Sequence, residues 1–228
     1  MLNRIKRNVR LLLRRFKDCK EHVIFCKKRD LEDLPYKVTL KQSILPSSTF
    51  IEKKYNLQYV AGQIGDYLIQ PGEVLSFWNI VGSPDRLMPS RVIRNNVLTV
   101  DRGGGLCQAA GAVYQMAVMC GLQIIERYNH SLDLYGDGPR ACPVGLDAAV
   151  SYGYKDLRIR NSTNAVLRFT MTIDADELFV ELHSDAPLIQ REVSSAITSS
   201  EGMLTVRTFY PDTDELIAES IYKIKGAE

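Results

Sequence analysis

Apolar residues at Leu2, Ile5, Val9, Leu12, Phe16, Cys19 and Val23 recur at steps of three and four, with Arg and Lys between them. That spacing predicts an amphipathic helix with one apolar stripe, in a segment closed by Leu34-Pro35. "YKVTL" (36–40) alternates as a strand, and Pro46-Ser47-Ser48 reads as a loop. "YNLQYVAGQIGDYLI" (55–69) reads as a helix in spite of two glycines, Pro71-Gly72 as a turn, and "EVLSFW" (73–78) as a strand whose Phe77 and Trp78 are core candidates. "RVIRNNVLTV" (91–100) predicts a hairpin about Asn95-Asn96. A helix from Cys107 to about Cys120 follows, stopped by Gly121 in the usual C-terminal position.

Beyond that helix the pattern turns to β. "LQIIERYNH" (122–130) reads as a strand and "LYGDGPRACPVG" (134–145) as a turn-rich loop. "DAAVSYG", "KDLRIRN", "AVLRFTMTI" and "ELFVELHS" then read as strands separated by turn residues, and "MLTVRTFY" with "ELIAESIYKI" as a terminal hairpin around Pro211-Asp212. The expected fold is α+β: an antiparallel sheet packed on a central helix that carries Cys107, with an N-terminal amphipathic helix and a C-terminal β hairpin. The expected division is a basic helical extension (1–34), an α+β domain (35–185) and a β extension (186–228).

Composition adds an asymmetry. The formal net charge is +2, yet residues 1–30 hold eleven Lys or Arg against three acidic residues, and the remainder holds eighteen against twenty-four. A basic, striped first segment is expected to meet an anionic membrane surface or to dock on the acidic body of its own chain. No run of 18 apolar residues occurs, and charge interrupts the first twenty residues too often for a secretory core. The expected location is therefore cytoplasmic, peripheral at the inner face of the membrane. Nucleic acid is not an expected partner, because no aromatic-rich basic sheet accompanies the basic helix. The five cysteines are odd in number and form no C-x-x-C pair, which argues against a disulfide framework or a zinc ribbon; reduced thiols, no metal and no cofactor are expected.

The candidate chemistry lies at "RGGGLCQ" (102–108). Three consecutive glycines are costly to order, so their backbone must approach something closely or adopt positive φ. They deliver Cys107 to a helix N-terminus, where the partial positive charge favours thiolate over thiol. The amides of Gly103, Gly104 and Gly105, with Gln108, are candidate oxyanion donors. A phosphate-binding loop is excluded because Cys-Gln stands where Lys-Ser/Thr would be required. A thiol nucleophile needs a base, and the chain has three histidines: His22, His130 and His183. His130 is the candidate, since a helix rising ~20 Å from Cys107 and an antiparallel strand returning ~25 Å would bring it level with the thiol. Leu122, Ile124, Tyr128 and His130 then share the face toward the helix, and Glu126 on that face has no role. Asp147 is the candidate orienter of the imidazole, with Asp156 as the alternative.

Four motifs, "PGEVLSFWNIVG", "GGGLCQ", "ERYNHS" and "GLDAAVSYGYKDLRIRNST", resemble in order and spacing the VanW family over roughly Leu57 to Ser184. In that family's pattern the Gly-Gly-Gly-x-Cys-Gln signature matches Gly103, Gly104, Gly105, Cys107 and Gln108, and its histidine and aspartate match His130 and Asp147. The resemblance implies a cell-wall and vancomycin-resistance context and names no reaction. The order of Cys at a helix start followed by His and Asp is also similar to transglutaminase-like and papain-like thiol enzymes. The leading expectation is a thiol-dependent acyl-transfer or amide-cleaving enzyme acting on peptide or cell-wall-precursor substrates. Its rival is a non-catalytic module that binds peptidoglycan precursors or a protein partner.

Overall fold

The computed structural model describes residues 2–30, 33–94, 97–133, 136 and 138–224. Its first element, α1 (Leu2–Lys20), forms where the three- and four-residue spacing places a helix. The stripe, however, faces solvent: Ile5, Val9, Leu12, Leu13 and Phe16 are all exposed. The docked face is the polar one. Arg14 pairs with Glu126 at 2.5 Å, Asp18 pairs with Arg158 at 2.6 Å, and the guanidinium groups of Arg7 and Arg10 lie over the rings of Tyr152 and Tyr154. Glu126, which sequence reasoning leaves without a role, is thus the post on which α1 is moored.

The chain continues through β1 (Lys27–Lys28), β2 (Tyr36–Ser43), α2 (Phe50–Ile64), β3 (Tyr67–Leu68) and β4 (Val74–Ser76) into the short helix α3 (Phe77–Val81). "EVLSFW" is therefore not one strand. The Ser76 hydroxyl accepts the Asn79 N–H at 3.2 Å, and this N-cap turns Phe77 and Trp78 into a buried helical turn against their own β preference. Next come β5 (Pro89–Arg94) and β6 (Val97–Arg102), paired antiparallel; the residues expected at their turn, Asn95-Asn96, lie outside the described residues.

Helix α4 (Leu106–Met119) is the centre of the molecule. Its side chains are apolar or small on nearly every side, and Leu106, Ala109, Ala110, Ala112, Val113, Tyr114, Met116, Ala117 and Val118 are buried. A helix apolar all round has to be enclosed, and each large aliphatic side chain so buried contributes roughly 1.5–3 kcal/mol. The enclosure draws on α2, β2 and several of the later strands, which run β7 (Gln123–Glu126), β8 (Leu132–Asp133), β9 (Arg158–Arg160), β10 (Leu167–Asp174), β11 (Glu177–Ser184), β12 (Ser194–Ser200), β13 (Met203–Tyr210) and β14 (Glu215–Ile224).

The fold is mixed α+β, with several small sheets in place of one. β10, β11 and β2 form an antiparallel sheet whose alternate residues Leu167, Phe169, Met171, Leu178, Val180 and Leu182 are buried in the core shared with α4. β4, β9 and β7 form a second antiparallel sheet. The terminal hairpin gains β12 and, through β14, pairs in parallel with β8, so that Lys223 lies opposite Leu132. It is fastened to the end of α4, because the Tyr210 hydroxyl donates to the Val118 carbonyl at 2.8 Å and the Arg191 N–H to the Met119 carbonyl at 2.7 Å.

Two further expected strands differ. "DAAVSYG" runs as turns stapled to the site by side chains, with only the Ser151–Lys155 bridge. "LQIIERYNH" leaves its ladder at Glu126, after a bulge between Ile124 and Glu126. A bulge switches the side-chain alternation. Tyr128 therefore points to solvent, while Arg127 turns inward with its side chain only 6% exposed, its guanidinium 4.9 Å from the centre of the Tyr114 ring on α4.

Candidate thiol site

The glycines before α4 do different jobs. Gly103 and Gly105 take φ of +95° and +96°, left-handed conformations that side chains rarely adopt. Gly104 is required by space: a Cβ there would stand 2.5 Å from Ser90 Cβ and 2.7 Å from the Arg91 carbonyl oxygen. Buried Asn56 locks the turn, donating to the carbonyls of Gly104 and Met88 and accepting the Met88 N–H. Gly105 is the N-cap of α4, with no side chain to occupy the first-turn amides. The Leu106 N–H is engaged by the Gly103 carbonyl, and those of Gln108 and Ala109 by the Gly105 carbonyl. Among the described residues the Cys107 N–H has no such backbone partner and remains aimed along the helix start. Gln108 itself is drawn aside, its Nε2 donating to the Ser43 carbonyl at 3.0 Å.

Cys107, half-buried in the first turn, receives the Val150 N–H on its sulfur at 3.4 Å. His130 lies beside it, close enough that each group favours the charged form of the other. The other ring nitrogen is held: His130 Nδ1 is 2.6 Å from Asp147 Oδ2, which also accepts the His130 backbone N–H at 2.8 Å. This leaves Nε2 for the sulfur. Asp147 reaches the site because α4 is small where the chain crosses it; at Gly111, one turn beyond Cys107, a Cβ would already stand 3.4 Å from the Ala148 nitrogen.

The carboxylate is seated by two groups that sequence reasoning missed. Arg127 Nη2 donates to Asp147 Oδ1 at 2.9 Å and to the Gly145 carbonyl at 3.0 Å, while Nε donates to the Asp147 carbonyl at 2.8 Å. The Tyr222 hydroxyl, from β14, donates to the same Oδ1 at 2.5 Å and accepts the Gly145 N–H at 3.2 Å. A charged residue inside the apolar run "LQIIERYNH" was the available signal for Arg127; nothing local marks Tyr222. Asp156 is elsewhere. It accepts from Ser76 Oγ at 2.6 Å, from the Trp78 N–H at 3.1 Å and from Arg158, and it organises α3.

Electrostatics follows from these contacts. Burial opposes a charge on Cys107, but the hydrogen bond and charge of His130, with the Val150 N–H, outweigh it and bring the thiol below its ordinary value. Burial likewise opposes the imidazolium, and Asp147 with Cys107 reverses it, lifting His130 well above the usual range. Asp147 is pulled down against its burial by His130, Arg127 and Tyr222. The contrast with the other thiols is direct: burial pushes Cys26 and Cys142 up to about 12 and Cys120 to about 11. The site thus favours a thiolate–imidazolium pair. Among the described residues no three His, Cys, Asp or Glu side chains are grouped to hold a metal ion, and no helix is long and apolar enough to cross a membrane.

A family model described as "VanW like protein" matches residues 52–183. The chain is similar to the "Vancomycin B-type resistance protein VanW" of Enterococcus faecalis, 30% identical over 136 residues that cover 58% of this chain and 50% of that protein. It is also similar to the "Uncharacterized protein YoaR" of Bacillus subtilis, 27% identical over 135 residues covering 58% of this chain and 43% of that one. The chain spans about half the length of the curated relatives it matches. No solved structure matches it. The matched segment contains Cys107, Arg127, His130 and Asp147, and leaves out α1 and the strands β12, β13 and β14, the last of which carries Tyr222.

Proposed function

This chain belongs to the VanW family, and from that premise and the geometry of its site we propose that it is a thiol-dependent acyl-transfer or amide-cleaving enzyme. The observation that carries the reading is the arrangement of His130, with Nδ1 on Asp147 at 2.6 Å and its other nitrogen left for a thiol at a helix N-terminus. In this reading the Cys107 thiolate attacks a carbonyl carbon, and the oxyanion that forms is received by the Cys107 N–H and the glycine-lined start of α4. The His130 imidazolium gives its proton to the departing amine, leaving an acyl thioester. Water or a second amine, deprotonated by His130, then attacks the thioester and restores the thiolate. Asp147 holds the ring and its tautomer throughout. The order of nucleophile, base and orienter is that of transglutaminase-like and papain-like enzymes, and the name of the Enterococcus relative supports peptide or cell-wall-precursor amides as the substrate class.

Reactivity separates this reading from a recognition module. Cys107 is expected to be alkylated by iodoacetamide at neutral pH much faster than Cys120 or Cys142, read by mass spectrometry of the intact fold, and peptide amides are expected to acylate it. A Cys107 no faster than those two would turn the proposal over to a site that binds without chemistry.

A further inference from the structure

We propose that α1 is an interfacial anchor that lays this protein on an anionic lipid bilayer, with its apolar stripe in the acyl boundary and its cations at the headgroups. The observation is an inversion. A helix that serves only its own fold turns its apolar side to the core; α1 is held to the body by Arg14 on Glu126 and the Tyr154 carbonyl, by Asp18 on Arg158, and by Arg7 and Arg10 over Tyr152 and Tyr154. The body is shaped for it. Gly153, at φ +78°, passes beneath the helix where a Cβ would stand 2.5 Å from Arg7 Cγ.

What α1 presents outward is therefore fixed. Ile5, Val9, Leu12, Leu13 and Phe16 are exposed, the last by 73%, and Arg4, Lys6, Arg15, Lys17 and Lys20 are exposed beside them. The one acidic residue of the helix, Asp18, is buried against Arg158. The outward surface is thus apolar and predominantly cationic, with Glu21, one residue beyond α1 and 3.8 Å from Lys17, as an exposed counter-charge at its end, the composition of a helix that lies in a membrane interface. A second copy seated stripe to stripe would bring two sets of five cations together, so charge complementarity favours the anionic bilayer over self-association.

The anchor also orients the molecule. α1 rests on the turn of Tyr152–Tyr154, and Val150 at the foot of that turn holds the Cys107 sulfur, so a bound α1 sets the thiol site beside the lipid surface. The proposal does not depend on whether that thiol turns over.

Flotation of the full chain with vesicles tests it. Binding is expected to vesicles of phosphatidylcholine mixed with phosphatidylglycerol, weak or absent with phosphatidylcholine alone, and reduced by added salt. The double variant Leu12→Gln, Phe16→Gln is expected to lower partitioning by about tenfold or more, with an unchanged melting temperature because both side chains are exposed. The triple variant Lys6→Gln, Lys17→Gln, Lys20→Gln is expected to bind less and to lose most of the salt dependence while staying folded. Equal partitioning of the wild type and the double variant overturns the proposal, as does absence of binding to the mixed vesicles. A dimer in sedimentation equilibrium that the double variant abolishes, without vesicle binding, assigns the stripe to a second copy and overturns it as well.

Discussion

Replacing Asp147 with asparagine strikes the site where four donors meet. Oδ2 takes the His130 ring at 2.6 Å and the His130 N–H at 2.8 Å, and Oδ1 takes Arg127 at 2.9 Å and Tyr222 at 2.5 Å. Asparagine keeps one acceptor oxygen, and its NH2 group must then face two donors. With that group turned to His130, Nδ1 becomes an acceptor and Nε2 carries the proton, the tautomer that cannot take a proton from the thiol. In either orientation the imidazolium loses its counter-charge. Arg127 loses one too, although the Gly145 and Asp147 carbonyls and the Ser220 hydroxyl still engage it. Removing one partner of a buried pair costs about 3–5 kcal/mol, and those remaining contacts place Asp147→Asn near the lower end, at about 3 kcal/mol. The thiol then moves up, because losing the imidazolium outweighs losing the smaller opposing charge of the carboxylate itself, and each unit of that movement cuts the thiolate fraction roughly tenfold on the acid side of its midpoint. The assay is the rate of iodoacetamide alkylation of Cys107 against pH, with Cys26, Cys120 and Cys142 as internal references and a urea titration for stability. The expected result is a midpoint moved to higher pH and a rate per folded molecule at pH 6 lower by about tenfold or more. An unchanged midpoint and rate in Asp147→Asn would refute the argument that the carboxylate holds the pair.

The glycines separate strain from space. Gly104→Ala drives a Cβ into the backbone of β5 and is expected to cost about 1–3 kcal/mol in overpacking, seen as a lower melting temperature with Cys107 reactivity per folded molecule retained. Gly105→Ala costs about 1–2 kcal/mol at its left-handed φ and also displaces the first turn, so calorimetry and alkylation should both change; wild-type alkylation in this variant would remove the N-cap from the chemistry. Stability should depend on pH with two signs. Asp147, at about 2 in the fold against 3.8 ordinarily, contributes about 2 kcal/mol above pH 4 that is lost as pH falls toward 2. His130, at about 10 against 6.5, contributes stability that is present below pH 6.5 and lost as pH rises toward 10. Urea midpoints across this range check both limbs, and an acid limb as steep in Asp147→Asn as in the wild type would show that this carboxylate does not drive it.

What the sequence makes legible is what neighbours along the chain decide. The bounds of α4 follow from glycines on either side of an apolar run, and Gly121 closes it at φ +66°. The spacing of α1 was legible as well, but a stripe tells only that a helix has two sides. Which side faces the body was decided by Glu126, Tyr152, Tyr154 and Arg158, more than a hundred residues away. "EVLSFW" misled because β propensity favours Phe-Trp, whereas Ser76, held by Asp156 eighty residues on, caps a helix there. The inward turn of Arg127 depends on a bulge that exists only because β7 pairs with β9. Tyr222 was out of reach for the same reason, since its relation to Asp147 spans 75 residues and is set by the parallel pairing of β14 with β8.

The phenol of Tyr222 carries a lesson about boundaries. The segment that this chain shares with its family ends at residue 183, yet one of the two groups that seat its carboxylate arrives from β14, after it. The shared segment is therefore an incomplete instrument, finished by a part that its own sequence does not encode. An appendage of this kind is a tuning screw: changing the hairpin resets the grip on Asp147 without altering a letter of the inherited core. Anyone transplanting this core should take residues 194–224 with it, and anyone comparing two family members should ask what each has put in the place of that hydroxyl.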